Sequence, residues 1–170
     1  MKSGTISNFL GVLRALVLHP GRFFEDLSQR KIHTSSLVFL LFCSAFASIM
    51  AILFIPQKKA IFLVIFLLNG MLMAFVTAFI LYLVTFFLCK DVFTYQSLFR
   101  ITAYAQVTLL AAWVPGLSWP VGIWKFYLIG LGMVKVGTIS AMKAFVSLLI
   151  MGGMFILLIQ LSQPLLSNVK

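Results

Sequence analysis

From Leu37 onward the chain is a succession of long apolar runs divided by short polar breaks. Ahead of that point the pattern differs. In "TISNFLGVLRALVL", residues 5–18, Phe9, Leu13, Leu16 and Val17 recur at helical spacing, while Ser7, Asn8, Gly11 and Arg14 fall towards the other side. That period predicts a weakly polar amphipathic helix. His19, Pro20 and Gly21 break it. A second short helix is expected next, with Phe23, Phe24 and Leu27 on one side and Arg22, Glu25, Arg30 and Lys31 around it. A helix pair of this kind lies flat at a lipid interface, packs against the underside of the spans, or does both. Arg14, Arg22, Phe23, Phe24, Arg30 and Lys31 are the residues expected at the membrane surface.

The apolar runs predict five membrane spans. The first, Leu37–Ile55, is uncharged and rises about 28 Å, close to the ~30 Å hydrocarbon core. The second, Ala60–Cys89, would extend about 45 Å, so it tilts, bends or projects. Asn69-Gly70 is the expected point of adjustment. Gly70, Ala74 and Ala78 stand four apart, giving a small face that admits another helix closely. The third span, about Ser97–Val114, is the most polar, with Arg100, Thr102, Tyr104, Gln106 and Thr108. A span that polar faces other helices rather than lipid. "PGLSWP" predicts a tight hairpin, flanked by Trp113 and Trp119 as an interfacial aromatic belt. The fourth span runs from about Trp119 to Val136 and the fifth from about Ser140 to Leu161. The expected organisation is an interfacial helix pair over 1–34, an all-α bundle of five spans over 35–163, and a short tail over 164–170.

Composition agrees with this pattern: 62% of residues are hydrophobic and 9% charged. A soluble domain carries roughly 25% charged residues. The net charge is +10. Its basic residues are scattered between apolar runs, which excludes a nucleic-acid face and points to anionic lipid headgroups. With the N-terminus in the cytoplasm, nine cations lie inside: Lys2, Arg14, Arg22, Arg30, Lys31, Lys90, Arg100, Lys135 and Lys143. Three lie outside: Lys58, Lys59 and Lys170. The positive-inside rule therefore predicts N-terminus in and C-terminus out, in a bacterial cytoplasmic (inner) membrane. Cys43 and Cys89 read as small buried hydrophobes, without a disulfide pattern.

The residues of enzyme chemistry are sparse. Asp26 and Asp91 lie outside the spans, and His19 and His33 precede the first one. There is no HExxH site, no phosphate-cradling glycine loop and no Cys/His ligand cluster, so neither a metal nor a cofactor is implied. Four polar features stand in or near the spans. Lys125 lies about a turn and a half from Trp119 and reaches the outer interface by its stem; an anion or headgroup site is the alternative. Arg100 near the inner end meets phosphate headgroups or helix-end carbonyls. Asn69 is expected to hydrogen-bond to another helix. Tyr104 and Gln106 point about 200° apart on a helix, so they do not share one small site.

Three segments in order carry a resemblance: "HPGRFFEDL", then "YQSLFRITAYAQVTLLAAWVPG", then "WPVGIWKFYLIGLGMVKVGTISAMKA". Together they resemble the Yip family of five-span membrane proteins (Ypt/Rab-interacting), in its compact bacterial form. Pro20, Phe24 and Leu27 correspond to the family's N-terminal signature. Tyr104-Ala105 matches its "aYa" element, and Trp124, Gly130 and Ser140 to Ala144 match later ones. Where the family often has a proline after "aYa", this chain has Val107 and Thr108. The resemblance implies a five-helix bundle without catalytic activity. Eukaryotic relatives bind small prenylated GTPases and act in vesicle traffic; the carry-over to this chain stops at the fold. The expected partners are anionic lipids, other membrane proteins or a second copy. The rival expectation is a small transporter or channel with Asn69, Tyr104, Gln106 and Lys125 along a polar path.

Overall fold

The computed structural model describes residues 4–29, 35–53, 59–89, 92–112, 114 and 116–167. Among them every regular element is helical: α1 (Gly4–Leu18), α2 (Pro20–Ser28), α3 (Ser36–Leu53), α4 (Lys59–Leu88), α5 (Tyr95–Ala105), a 3₁₀ turn (Gln106–Thr108), α6 (Leu109–Ala112), α7 (Ser118–Gly137) and α8 (Ala141–Ser167). Local chemistry sets several boundaries. Pro20 opens α2, where a missing N–H costs nothing. The Thr94 hydroxyl accepts from the Ser97 N–H at 3.2 Å and caps α5. Gly116 takes φ +89° in the turn before α7, a conformation that suits glycine.

Two helices are both long and apolar enough to cross a bilayer by length and composition: α4 over Ile61–Leu88 and α8 over Ala141–Leu158. α3 is as apolar but shorter, with Ser36–Ile52 qualifying. Lys125, Lys135 and several glycines dilute α7. The expected third span is divided among α5, the 3₁₀ turn and α6.

The long elements form one bundle in which successive members run antiparallel. Gly70 of α4 meets Ser44 of α3, and Ala74 and Ala78 pack with Leu40 nearer the start of α3. Phe75 stacks on Phe99 at 4.6 Å and Tyr82 meets Tyr95 at 6.3 Å, which sets α4 against α5. Gly132 faces Ile101, and Gly137 faces the Phe93 ring, which sets α5 against α7. Gly130 then faces Leu148 across the α7–α8 hairpin.

α4 continues as one helix through Asn69-Gly70. Gly70 serves a close approach, since a Cβ there would lie 2.9 Å from Ser44 Oγ. The unexpected break is in the segment expected as the third span. Thr108 Oγ1 donates to the Ala105 carbonyl at 3.0 Å, a side-chain bond that competes with the helical ladder. α8 also runs past Leu161 to Ser167, through Pro164.

Buried hydroxyls are satisfied mostly within their own helices. Ser48, Thr77, Thr85 and Ser147 donate to carbonyls four residues back, at 2.6–2.9 Å. Thr102 adds a link between helices, to the Ala74 carbonyl at 3.4 Å. This is how apolar helices carry hydroxyls without leaving them unpaired in a medium lacking water.

Candidate membrane-contact sites

The N-terminal helices are part of the main core. Leu16 of α1 and Phe23, Phe24 and Leu27 of α2 belong to the same buried cluster as Phe39, Ile101, Tyr104 and Met133. Phe23 meets Tyr104 edge-on, ring centroids 5.0 Å apart, and Phe39 reaches Tyr104 from α3 at 5.1 Å. Phe24 lies against Phe23 and against the bare backbone of Gly132 on α7. Phe9 of α1 packs on Phe39 and Phe42.

One ion pair reinforces this docking. Lys135 Nζ donates to Glu25 Oε1 at 2.5 Å, joining α2 to the end of α7. That hydrogen bond, the Lys135 charge and the more distant Arg22 hold the Glu25 carboxyl below its ordinary value. Both side chains are partly exposed, so solvent screens the pair and its contribution is modest.

The membrane-surface candidates therefore separate. Arg14 and Arg22 lie on the exposed surface. Phe23 and Phe24 are not exposed to lipid: they are 4% and 0% exposed, because the underside of the bundle offers them Tyr104 and the groove at Gly132. Arg30 and Lys31 lie outside the described residues. Leu10, Val17 and Leu18, which the sequence reading did not single out as a group, are exposed beside Arg14 on α1. They stand at i, i+7 and i+8 with Arg14 at i+4, one outward helical face. The signal was present in the sequence, but the same helix also offers Phe9, Val12, Leu13 and Leu16 to the core. A helix apolar on two sides does not reveal which side is inside.

Ala74 and Ala78 are fully buried between α4 and its neighbours, with Gly70 beside Ser44. The polar candidates are not gathered at one place. Asn69 is exposed, Lys125 and Arg100 are half-buried, and Tyr104 and Gln106 are buried. Gln106 Oε1 and Ser44 Oγ are buried side-chain atoms without a hydrogen-bond partner among the described residues. Among those residues no three His, Cys, Asp or Glu side chains cluster as a metal site would need.

A second feature lies on the opposite side of α7. An open groove of about 700 Å³ runs between α7 and α8, walled by Phe126, Tyr127, Leu131, Phe145, Leu149 and Ile156. A smaller, more polar cleft of about 330 Å³ separates α1 from α2 beside His19, Arg22 and Asp26.

An all-helical membrane protein whose N-terminal Pro-Phe segment is folded under a small antiparallel bundle defines the class. The sequence model of the Yip1 domain matches residues 14–162, and the chain belongs to that family. Comparison with curated proteins and with solved structures returned no match to either.

Proposed function

We propose that the protein is a non-catalytic, five-span member of the Yip family that acts by lateral association with lipids and proteins in a bacterial inner membrane. Its N-terminus is cytoplasmic and its C-terminus outside. α3, α4, the divided α5–α6 segment, α7 and α8 are the crossings. Their antiparallel order supports this. So does the gathering of Arg14, Arg22, Lys135 and Lys143 towards one end, the end where α2, the α7–α8 turn and Phe93 meet.

The observation that carries the reading is the outward face of α1. Leu10, Val17 and Leu18 are 57%, 45% and 57% exposed, with Arg14 among them. That face suits the acyl boundary, with a guanidinium at the phosphates. The rest of the helix pair is fixed to the bundle by buried aromatics, so the face is presented in a set orientation.

The test uses the full chain in native membranes, with a photo-crosslinking residue at Val17 or at buried Leu16. Adducts to lipid or to other membrane proteins are expected from position 17 and not from position 16. Single-cysteine labelling of both ends in intact cells checks the topology. Labelling of both ends from the same side would overturn five crossings.

A second reading is a small transporter or channel. It draws support from the helix break at Gln106–Thr108 and the two unpartnered polar atoms nearby in the bundle, because interrupted helices mark substrate sites in transporters. Solute flux in reconstituted vesicles, lost in Gln106→Leu or Lys125→Ala, would favour it over lateral association.

A further inference from the structure

We infer that the cleft between α1 and α2 holds the headgroup of a zwitterionic phospholipid with a primary amine, of the phosphatidylethanolamine type. Its phosphate lies at Arg22 and His19 and its ammonium at Asp26; this rests on the reading above that α1 turns Leu10, Val17 and Leu18 to the membrane. The cleft's form argues first. Its volume of about 330 Å³ suits a headgroup and not a whole lipid. Gly11 and Ala15 wall it on the α1 side, and His19, Arg22 and Asp26 line it on the other. A Cβ added at Gly11 would meet nothing within 4 Å, so the packing of the two helices leaves this space open.

Charge argues second. His19, Arg22 and Asp26 succeed one another at intervals of three and four residues, so they share one face of α2. All three are exposed, and none of them forms an ion pair among the described residues. Glu25 beside them is the carboxylate that Lys135 takes. A cleft with one fixed charge of each sign offers little net attraction to a purely anionic headgroup. It complements a group that carries both signs a short distance apart. Two carbons separate phosphate from amine in phosphoethanolamine, a span that fits the roughly 5–6 Å between side chains one helical turn apart. The Arg22 guanidinium presents a fork of donors to phosphate oxygens, the His19 imidazole adds an N–H, and the Asp26 carboxylate accepts from the ammonium.

The neighbouring surface makes the occupant a lipid. At 3.6 residues per turn, Gly11 and Leu18 point about 20° apart around α1. The cleft therefore opens directly beside the exposed apolar face of Leu10, Val17 and Leu18. A headgroup in the cleft lays its acyl chains along that face, whereas a soluble metabolite would leave the face uncovered. Phe23 also lines the cleft, and its ring is fixed against Tyr104. The charged face of α2 is thus held at a set orientation to the apolar face of α1.

The full chain in mild detergent is titrated with phospholipids of matched acyl chains, and the first bound lipid is followed by native mass spectrometry. Phosphatidylethanolamine is expected to bind about two- to fivefold more tightly than phosphatidylcholine, whose methylated amine gives Asp26 no hydrogen bond, the strength of an exposed ion pair. It should exceed phosphatidylglycerol, which has no amine, by a similar factor. Asp26→Asn should bring phosphatidylethanolamine down to the phosphatidylcholine level. Arg22→Gln should weaken both lipids about fivefold, since both carry the phosphate. Both side chains are exposed, so neither exchange disturbs the core; Gly11→Leu fills the open space and should abolish the headgroup preference by a separate route. Equal affinity for the three lipids overturns the inference. So does a preference that survives Asp26→Asn, or soluble phosphoethanolamine bound as tightly as the lipid. The double exchange Val17→Ser and Leu18→Ser separates the two readings. Unchanged lipid affinity with the preference intact would sink the apolar-face reading alone, whereas lipid capture at position 17 without any headgroup preference would sink the cleft alone.

Discussion

Glycine-to-alanine exchange has opposite expected signs at two places in this bundle. At Gly132 on α7, a Cβ would stand 2.6 Å from Ile101 Cγ2 and 3.0 Å from Phe24 Cε1. Ile101 and Phe24 are both fully buried. The Ile101 methyl sits on a β-branched carbon with few rotamers, and the Phe24 ring is bounded by Phe23. Neither neighbour withdraws freely, so overpacking costs about 1–3 kcal/mol. Better helix propensity returns up to about 1 kcal/mol. The net expectation for Gly132→Ala is a loss of about 1–2 kcal/mol. At Gly152 the added methyl meets nothing, so Gly152→Ala keeps the propensity gain of up to about 1 kcal/mol. The two variants should then differ by about 2 kcal/mol, or about 4–8 °C in thermal midpoint for a chain of this length. Near-UV circular dichroism in mild detergent reads the midpoints, and hydrogen exchange in α2 reports whether the loss at Gly132 is local. Phe24→Leu made on top of Gly132→Ala should recover part of the loss, giving non-additivity of about 0.5 kcal/mol or more. Midpoints that move together, or a strictly additive double variant, would show that Phe24 and Gly132 do not share this contact.

Two further outcomes follow from the C-terminal end of α7. Thr138 caps it at φ 50°, a left-handed conformation costly for a β-branched residue; Thr138→Gly should raise the midpoint, since that strain is about 1–2 kcal/mol before glycine's extra unfolded-state freedom is subtracted. The Glu25–Lys135 pair gives a pH dependence: Lys135 holds the Glu25 carboxyl below its ordinary value, so its support for α2 docking is fully present above that ordinary value and fades as pH falls through the lower folded value. Protection factors of α2 amides, taken relative to the intrinsic exchange rate at each pH, should fall on acidification in the wild type, and Lys135→Gln should remove that acid dependence; identical acid profiles would assign the docking to the phenylalanines alone.

How much of this was legible depends on which period dominates each segment. The long apolar runs fix helices at α4 and α8 without competing signals, and both meet the length and hydropathy of a crossing. The helix pair at the start was also legible, because His19-Pro20-Gly21 leaves no alternative to a break. The side on which Phe23 and Phe24 lie was not. A phenylalanine at the end of a membrane protein gains nearly as much from the acyl boundary as from a protein interior, so hydrophobicity alone cannot choose. What chooses is complementarity: Gly132 and Ile101 leave a slot on α7 and α5, about a hundred residues away in sequence. Glycines are ambiguous for a related reason. Asn69-Gly70 has the composition of an adjustable point, and the absent side chain also admits Ser44. The α7–α8 groove was illegible altogether, since glycines that pack and glycines that leave a hollow look the same in a sequence.

The interrupted α5–α6 segment ties these pieces together. Irregular backbone at membrane depth is tolerated only when protein surrounds it, and Gln106, Val107 and Thr108 are all buried. The break directly follows Tyr104-Ala105, the element that carries the family resemblance. Tyr104 receives Phe23 from α2 on one side and Phe39 from α3 on the other. Removing the N-terminal helices would therefore uncover the tyrosine at the end of α5, and with it the approach to the buried turn. The Pro-Phe segment at the start of the chain is thus a structural requirement of the interrupted α5–α6 segment. Its outward neighbours on α1, Leu10, Val17 and Leu18, stay exposed and take no part in that packing.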